Sequence, residues 1–218
     1  MNAKKRDTTA RRVFAYALGA REGGGQIMKK VFLLGDSIRM GYDDFVRDLL
    51  KGTADVFYSE DNGRFAGYTY VYIPQWKKLA GEPNDVAVVH WNSGHWDCAH
   101  FYGDSEPYST VEEYTVWLRR VHDCIRRNFP AAQVIFAAST GIAPGRYEQM
   151  SSPRSDDEIA AYNKAAVQVM AELNVPVNDL ASLAAGFPLE YYADEVHFTE
   201  TGSRLLAGKV AEKIREYL

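Results

Sequence analysis

Two hydrophobic periods alternate along this chain. From Lys30 onward, short runs of large apolar residues are followed by longer segments whose apolar residues recur every three or four positions. The short runs suit strands buried on both faces, and the longer segments suit amphipathic helices. Their alternation predicts a parallel sheet covered by helices on both sides. The predicted strands are Lys30–Leu34, Ala54–Tyr58, Val86–Trp91, Gln133–Ala138 and Val175–Val177. A helix over Met40–Lys51 puts Phe45, Val46, Leu49 and Leu50 on one face, and Gly52 closes it. A second is expected over Tyr68–Leu79, kinked or split at Pro74. A third, Val111–Asn128, carries Tyr114, Trp117, Leu118, Val121 and Ile125 at helical spacing, a stripe best read as core packing. A fourth runs from a cap at Ser155 or Asp156 to Leu173, and the last over Thr201–Tyr217. Five strands alternating with helices predict a flavodoxin-like α/β/α sandwich with a five-stranded parallel sheet. No repeat or interdomain linker interrupts residues 28–218, so they are expected to form one domain.

Composition narrows this little. The chain has 218 residues, is 46% hydrophobic and carries net charge −4, which argues against a nucleic-acid partner, whose footprint would be basic. No apolar run approaches the ~18 residues of a membrane span. Two cysteines, Cys98 and Cys124, make neither a disulfide framework nor a C-x-x-C pair, so a reducing, cytoplasmic setting is expected. Residues 1–27 differ from the rest. They hold six basic residues against two acidic ones, a net +4, leaving −8 for the remainder. Their apolar piece Val13–Leu18 is short for a signal-peptide core. Arg21-Glu22-Gly23-Gly24-Gly25 is what a purine-rich ribosome-binding site reads as when translated. Met28 is therefore expected as the native start, with 1–27 an extension outside the fold.

Candidate chemistry begins where the first strand ends. Gly35-Asp36-Ser37 is a tight turn between a strand and an amphipathic segment, a geometry that lifts Ser37 clear at the carboxyl edge of the sheet, where ligands bind in open α/β folds. A serine hydroxyl becomes a nucleophile when a base lies within reach. Just before the last helix, Asp194 and His197 stand three apart. On one turn of loop, that spacing lets the carboxylate orient the imidazole while its other nitrogen faces the serine. Each motif alone is weak, since D-x-x-H pairs often only cap helices. Together they place a serine and an Asp/His pair on loops that open at one edge. Donors for an oxyanion are expected from the Ser37 N–H and from Gly67, near a helix start after the second strand. The plainer reading of Gly67 and Gly63 is turn geometry.

Gly35-Asp36-Ser37, the Asn62…Gly67 loop, a polar loop after the third strand, and Asp194-x-x-His197 together resemble, in block order, the SGNH hydrolases, the GDSL-type esterases. The resemblance covers Lys30 to Leu218 and implies ester hydrolysis without metal or cofactor. By position, Ser37 resembles the nucleophile, His197 the base, Asp194 its orienting partner, and Gly67 an oxyanion donor. The third block departs from the family's Gly-x-Asn-Asp. Here it reads Asn92-Ser93-Gly94-His95-Trp96-Asp97, with Trp96 where Asn should stand. Asn92 is expected as the substitute donor, with the Trp96 indole N–H and a His95 nitrogen as alternatives.

His90, His95 and His100 recur at a spacing of five, which matches no common zinc pattern, so packing and local hydrogen bonds are expected of them. Cys98 has no evident base beside it. Trp96, His95 and Arg146 are candidate substrate contacts: the aromatics after the third strand could stack on a sugar ring, and Arg146 could meet an anionic group. Simple loop packing is the competing reading. The expected activity is hydrolysis of short acyl esters, acetyl foremost, of carbohydrates or other polar alcohols. The alternatives are a non-catalytic carbohydrate-binding protein on the same scaffold, a thioesterase or acyltransferase of the family, and a phosphate binder at Gly35–Ser37. The last leaves Asp194 and His197 without a task.

Overall fold

The computed structural model describes residues 28–218, so the net-positive segment before Met28, with the expected extension, lies outside the described residues. Five strands form one parallel sheet: β1 (Lys29–Leu34), β2 (Ala54–Tyr58), β3 (Val86–Asn92), β4 (Gln133–Ala137) and β5 (Val177–Asn178). Their spatial order is β2-β1-β3-β4-β5. The order reverses between β1 and β3, which makes the crevice beyond their carboxyl ends the place where such a sheet binds ligands.

Alternate residues of each strand feed two cores. Phe32, Leu34, Val89, Trp91 and Phe136 pack one face against α2 (Ala66–Trp76), α3 (Val111–Asn128) and α4 (Asp156–Glu172). Val31, Leu33, Val56, Val88 and Ile135 pack the other against α1 (Ser37–Leu49) and α6 (Glu200–Arg215). Local signals set the helix ends. Thr110 with Glu113, and Ser155 with Glu158, form reciprocal capping boxes at α3 and α4. Pro74 lies inside α2 and removes the N–H that would reach the Tyr70 carbonyl four residues back. That carbonyl accepts instead from the Cys124 thiol of α3, 3.7 Å away, and α2 gives way to a 3₁₀ turn at Lys77–Ala80.

Three of the differences from expectation have clear local causes. Helix α1 begins at Ser37, not Met40, because Asp36 is itself the cap: its carboxylate accepts from the Ile38 N–H at 3.0 Å. Strand β5 spans two residues, because the Val175 N–H closes onto Met170 and Pro176 has no N–H to give. A short helix, α5 (Leu180–Ala184), was not anticipated; Asp179 caps it through the Ser182 N–H. Among the described residues, no helix is long and apolar enough to cross a membrane.

Candidate active site

Gly35 can only be glycine. Its φ is +148°, and a Cβ there would lie 1.8 Å from Asn92 Oδ1. The turn it makes leaves Asp36 fully buried and puts Ser37 in the first turn of α1, where unbonded backbone N–H groups face outward. Asp36 Oδ1 accepts from Ile38 and from Asn92 Nδ2 at 2.9 Å. Burial raises its carboxyl pKa, and these two donors only partly offset that. From inside α1, the buried Arg39 reaches sideways. It donates to Asp43 at 2.5 Å, to the Ser59 and Asp61 carbonyls at 2.7 and 2.6 Å, and to the Gly35 carbonyl at 3.3 Å. One guanidinium thus ties the turn after β1 to the loop after β2. Gly63 completes that junction. Its N–H donates to the Gly35 carbonyl at 2.8 Å, and a Cβ would meet the same oxygen at 2.5 Å.

On the loop before α6, Asp194 organises its own turn. Oδ1 accepts from the Val196 and His197 backbone N–H groups at 2.9 and 2.7 Å, and Oδ2 from His197 Nδ1 at 2.7 Å. Burial alone would raise this carboxyl; the hydrogen bonds from His197 and Val196 outweigh it and hold the pKa below the usual range. The charged carboxylate assigns the ring hydrogen to Nδ1, leaving Nε2 free to accept. Nε2 stands 2.7 Å from Ser37 Oγ, across 160 residues of sequence. A bridge between Tyr192 and Phe198 and the bond from the Ala143 N–H to the Glu195 carbonyl pin the loop in place. A hydroxyl, an accepting imidazole nitrogen and an orienting carboxylate in series can move a proton from oxygen to nitrogen and back.

The third-block residues part company. Asn92 turns beneath the Gly-Asp-Ser turn toward Asp36. His95 is buried against Thr140 and Arg154. Trp96 lines a cavity of about 210 Å³ beside Ser37, together with Phe101, Met150, Arg154 and His197, and its indole N–H has no hydrogen-bond partner among the described residues. Gly67 lies in the first turn of α2 with its Cα against the Trp117 indole of α3, and it is not on the cavity wall. Arg146 precedes a 3₁₀ turn away from that wall; eight residues on, Arg154 occupies the position expected of it.

Asp97 escaped the sequence reading. It is fully buried, accepts from Ser93 Oγ at 2.8 Å, and caps α2 from outside through the Ala66 N–H at 3.1 and 3.2 Å. Phe65, the residue before the helix, offers no side-chain cap. Burial pushes the Asp97 carboxyl up to about 7. The available signal was its place as the closing acidic residue of the third block, which carried no role of its own in the sequence. The histidines disperse: His90 meets Asn178, His95 meets Arg154 and Thr140, and His100 meets Glu158. The described residues contain no group of three or more potential metal ligands. Burial pushes the Cys98 thiol up to about 12, far from thiolate chemistry at neutral pH.

The sequence matches the model of the GDSL-like lipase/acylhydrolase family over residues 33–205. No curated protein matches it. Among solved structures, the acetyl xylan esterase AlAXEase superposes with a TM-score of 0.69 at 17% identity, covering 85% of this chain and 99% of that one. A lipase/acylhydrolase from Enterococcus faecalis gives 0.68 at 21% identity, with 87% and 96% covered. The native aryl esterase of M. smegmatis gives 0.64 at 16% identity, with 87% and 100% covered. At these identities the likeness is one of fold.

Proposed function

This chain belongs to the GDSL-like lipase/acylhydrolase family, and on that premise we propose that it is a serine esterase removing short acyl groups, acetyl foremost, from carbohydrates or other polar alcohols. One observation carries the reading: Ser37 Oγ, His197 and Asp194 are linked by two hydrogen bonds of 2.7 Å. His197 Nε2 takes the Ser37 proton as Oγ attacks the ester carbonyl, and Asp194 stabilises the imidazolium that forms. The carbonyl oxygen gains the negative charge. The Ser37 N–H, at the positive end of α1, and the Trp96 indole N–H on the cavity wall are the proposed donors to it. Of the three substitutes for the family's Asn, Trp96 is the one facing this cavity with a free donor. Collapse of the tetrahedral species breaks the bond to the alcohol oxygen, which leaves with the proton from His197. Water then enters, gives its proton to His197, and releases the acid from Ser37.

The cavity of about 210 Å³ must hold the ester group and the first part of the alcohol together, which favours a small acyl group. Beyond the shared wall of Trp96 and Phe101 opens a second hollow of about 380 Å³, lined by Phe65, Tyr102, Tyr108 and the carboxylates of Asp104 and Glu106. Aromatic faces beside hydroxyl-accepting carboxylates suit a sugar ring on the alcohol side. A screen of p-nitrophenyl esters of increasing acyl length and of acetylated sugars tests the reading. Turnover is expected for the short esters and is expected to vanish in Ser37→Ala; turnover retained by that variant overturns it.

A further inference from the structure

The cavity beside Ser37 holds a cation that ester chemistry leaves unused. Arg154 stands on its wall, in the loop between β4 and α4. Its Nε donates to His95 Nδ1 at 3.3 Å and its Nη1 to the Ser152 carbonyl at 2.8 Å. Nδ1 is therefore the accepting nitrogen of His95, and Nε2 carries the hydrogen toward Thr140 Oγ1 at 3.3 Å. Burial and the adjacent guanidinium keep this imidazole neutral. A neutral ring thus grips the inner edge of the guanidinium, while Nη2 has no partner among the described residues. Arg154 makes no ion pair there either. The Asp194 carboxylate is committed to His197, and Glu195, the other carboxylate on the wall, forms none with it. Burial outweighs the attraction of the nearby Asp36, Asp194 and Glu195 carboxylates and lowers the pKa of Arg154, and no direct ion pair replaces the lost hydration. A fork left open in that way is complementary to a planar carboxylate.

Its place selects which part of a substrate it meets. His197 hands its proton to the departing alcohol, so the alcohol lies on the His197 side of Ser37, and Arg154 lines the cavity together with Asp194–His197. We propose that Arg154, held by His95, is a specificity-determining residue that receives a carboxylate carried on the alcohol portion of the ester. The inference rests on the esterase reading above.

Two matched probes test it: 4-acetoxybenzoate, with the carboxylate on the alcohol side, and its uncharged amide, 4-acetoxybenzamide. Wild type is expected to favour the carboxylate by ~10-fold or more in kcat/KM, mostly through KM, as a charge-assisted contact supplies. Arg154→Gln should erase that preference, lowering kcat/KM on the carboxylate much more than on the amide, and Arg154→Lys should restore part of it. Equal losses on both probes would make Arg154 a structural residue and overturn the proposal, as would a wild type without preference. Binding of the products, 4-hydroxybenzoate against 4-hydroxybenzamide, is measured by calorimetry on the same proteins. If neither ester turns over but the acid binds in an Arg154-dependent way, the esterase reading falls and the subsite stands. If the acid binds no better than the amide, the subsite falls.

Discussion

Asn92 Nδ2 donates to Asp36 Oδ1 at 2.9 Å, one layer beneath Ser37. The residue expected to face the oxyanion therefore holds the turn that presents the nucleophile. Its Oδ1 fills the space a Cβ on Gly35 would need, so the two positions are locked together. Asn92→Ala should cost about 1–3 kcal/mol of stability, because the buried Asp36 carboxylate loses a donor. Gly35→Ala should cost more in the wild type than in an Asn92→Ala background, where the clash is relieved. Urea unfolding of the four proteins in this cycle measures the coupling. Additive losses would mean that the contact carries no energy, and an unchanged midpoint with a fall in kcat would return Asn92 to the oxyanion.

Arg39 is the strut between the first two loops. Arg39→Ala leaves the buried Asp43 carboxylate without its 2.5 Å partner and the Ser59 and Asp61 carbonyls without a donor. A loss of about 3–5 kcal/mol is expected, as for other broken buried pairs. Arg39→Lys keeps the charge but not the fork, and should recover less than half of it. Chemical denaturation reads both; a variant within about 0.5 kcal/mol of wild type would show that the network is decorative.

Asp97 makes stability depend on pH. Its carboxyl is raised from 3.8 to about 7 in the folded chain. Between those values the folded state holds a proton that the unfolded state has released. The contribution is therefore fully present below about pH 4 and is lost as pH rises toward 7, by ~1.4 kcal/mol per pH unit. Burial raises Asp36 and Asp43 too, so the other buried carboxyls of the region tilt stability the same way. In Asp97→Asn, Oδ1 can still accept from Ala66, and the fall in Tm between pH 4 and 7 should be shallower. A slope equal to that of the wild type would mean that Asp97 is ionised in the native state throughout.

Where local chemistry decided structure, the sequence was legible. Strand β2 and helix α3 appear with the expected bounds, because alternation marks one and the Thr110–Glu113 box the other. The Ser37–His197 meeting was readable from topology alone, since both residues end connections at one sheet edge. What escaped was what three dimensions assign. Arg39 stood just before the expected helix start and drew no role, yet its guanidinium is buried among carbonyls from another loop. Arg146 and Arg154 share a loop without periodicity, and nothing in spacing separates the one on the cavity wall from the one off it. Gly67 is a small residue for packing on Trp117, whereas Gly63 makes the close approach to the turn.

The orienting role of Asp194 predicts a loss in kcat without a loss of fold. Asp194→Asn keeps the size of the side chain but removes the charge that places the hydrogen on Nδ1 of His197. kcat on p-nitrophenyl acetate should fall by ~10³–10⁴, with Tm lowered only slightly. A fall below ~10-fold would remove Asp194 from the proton path.

The central claim is that Ser37 is activated by His197 across their 2.7 Å contact. Reaction with a fluorophosphonate, followed by intact-mass and peptide mapping, tests it most directly, because an activated serine reacts fast and an ordinary one does not. One adduct per chain is expected, on Ser37, formed at a rate that falls with His197→Ala and absent in Ser37→Ala. An unlabelled wild type, or an adduct on any other residue, would contradict it.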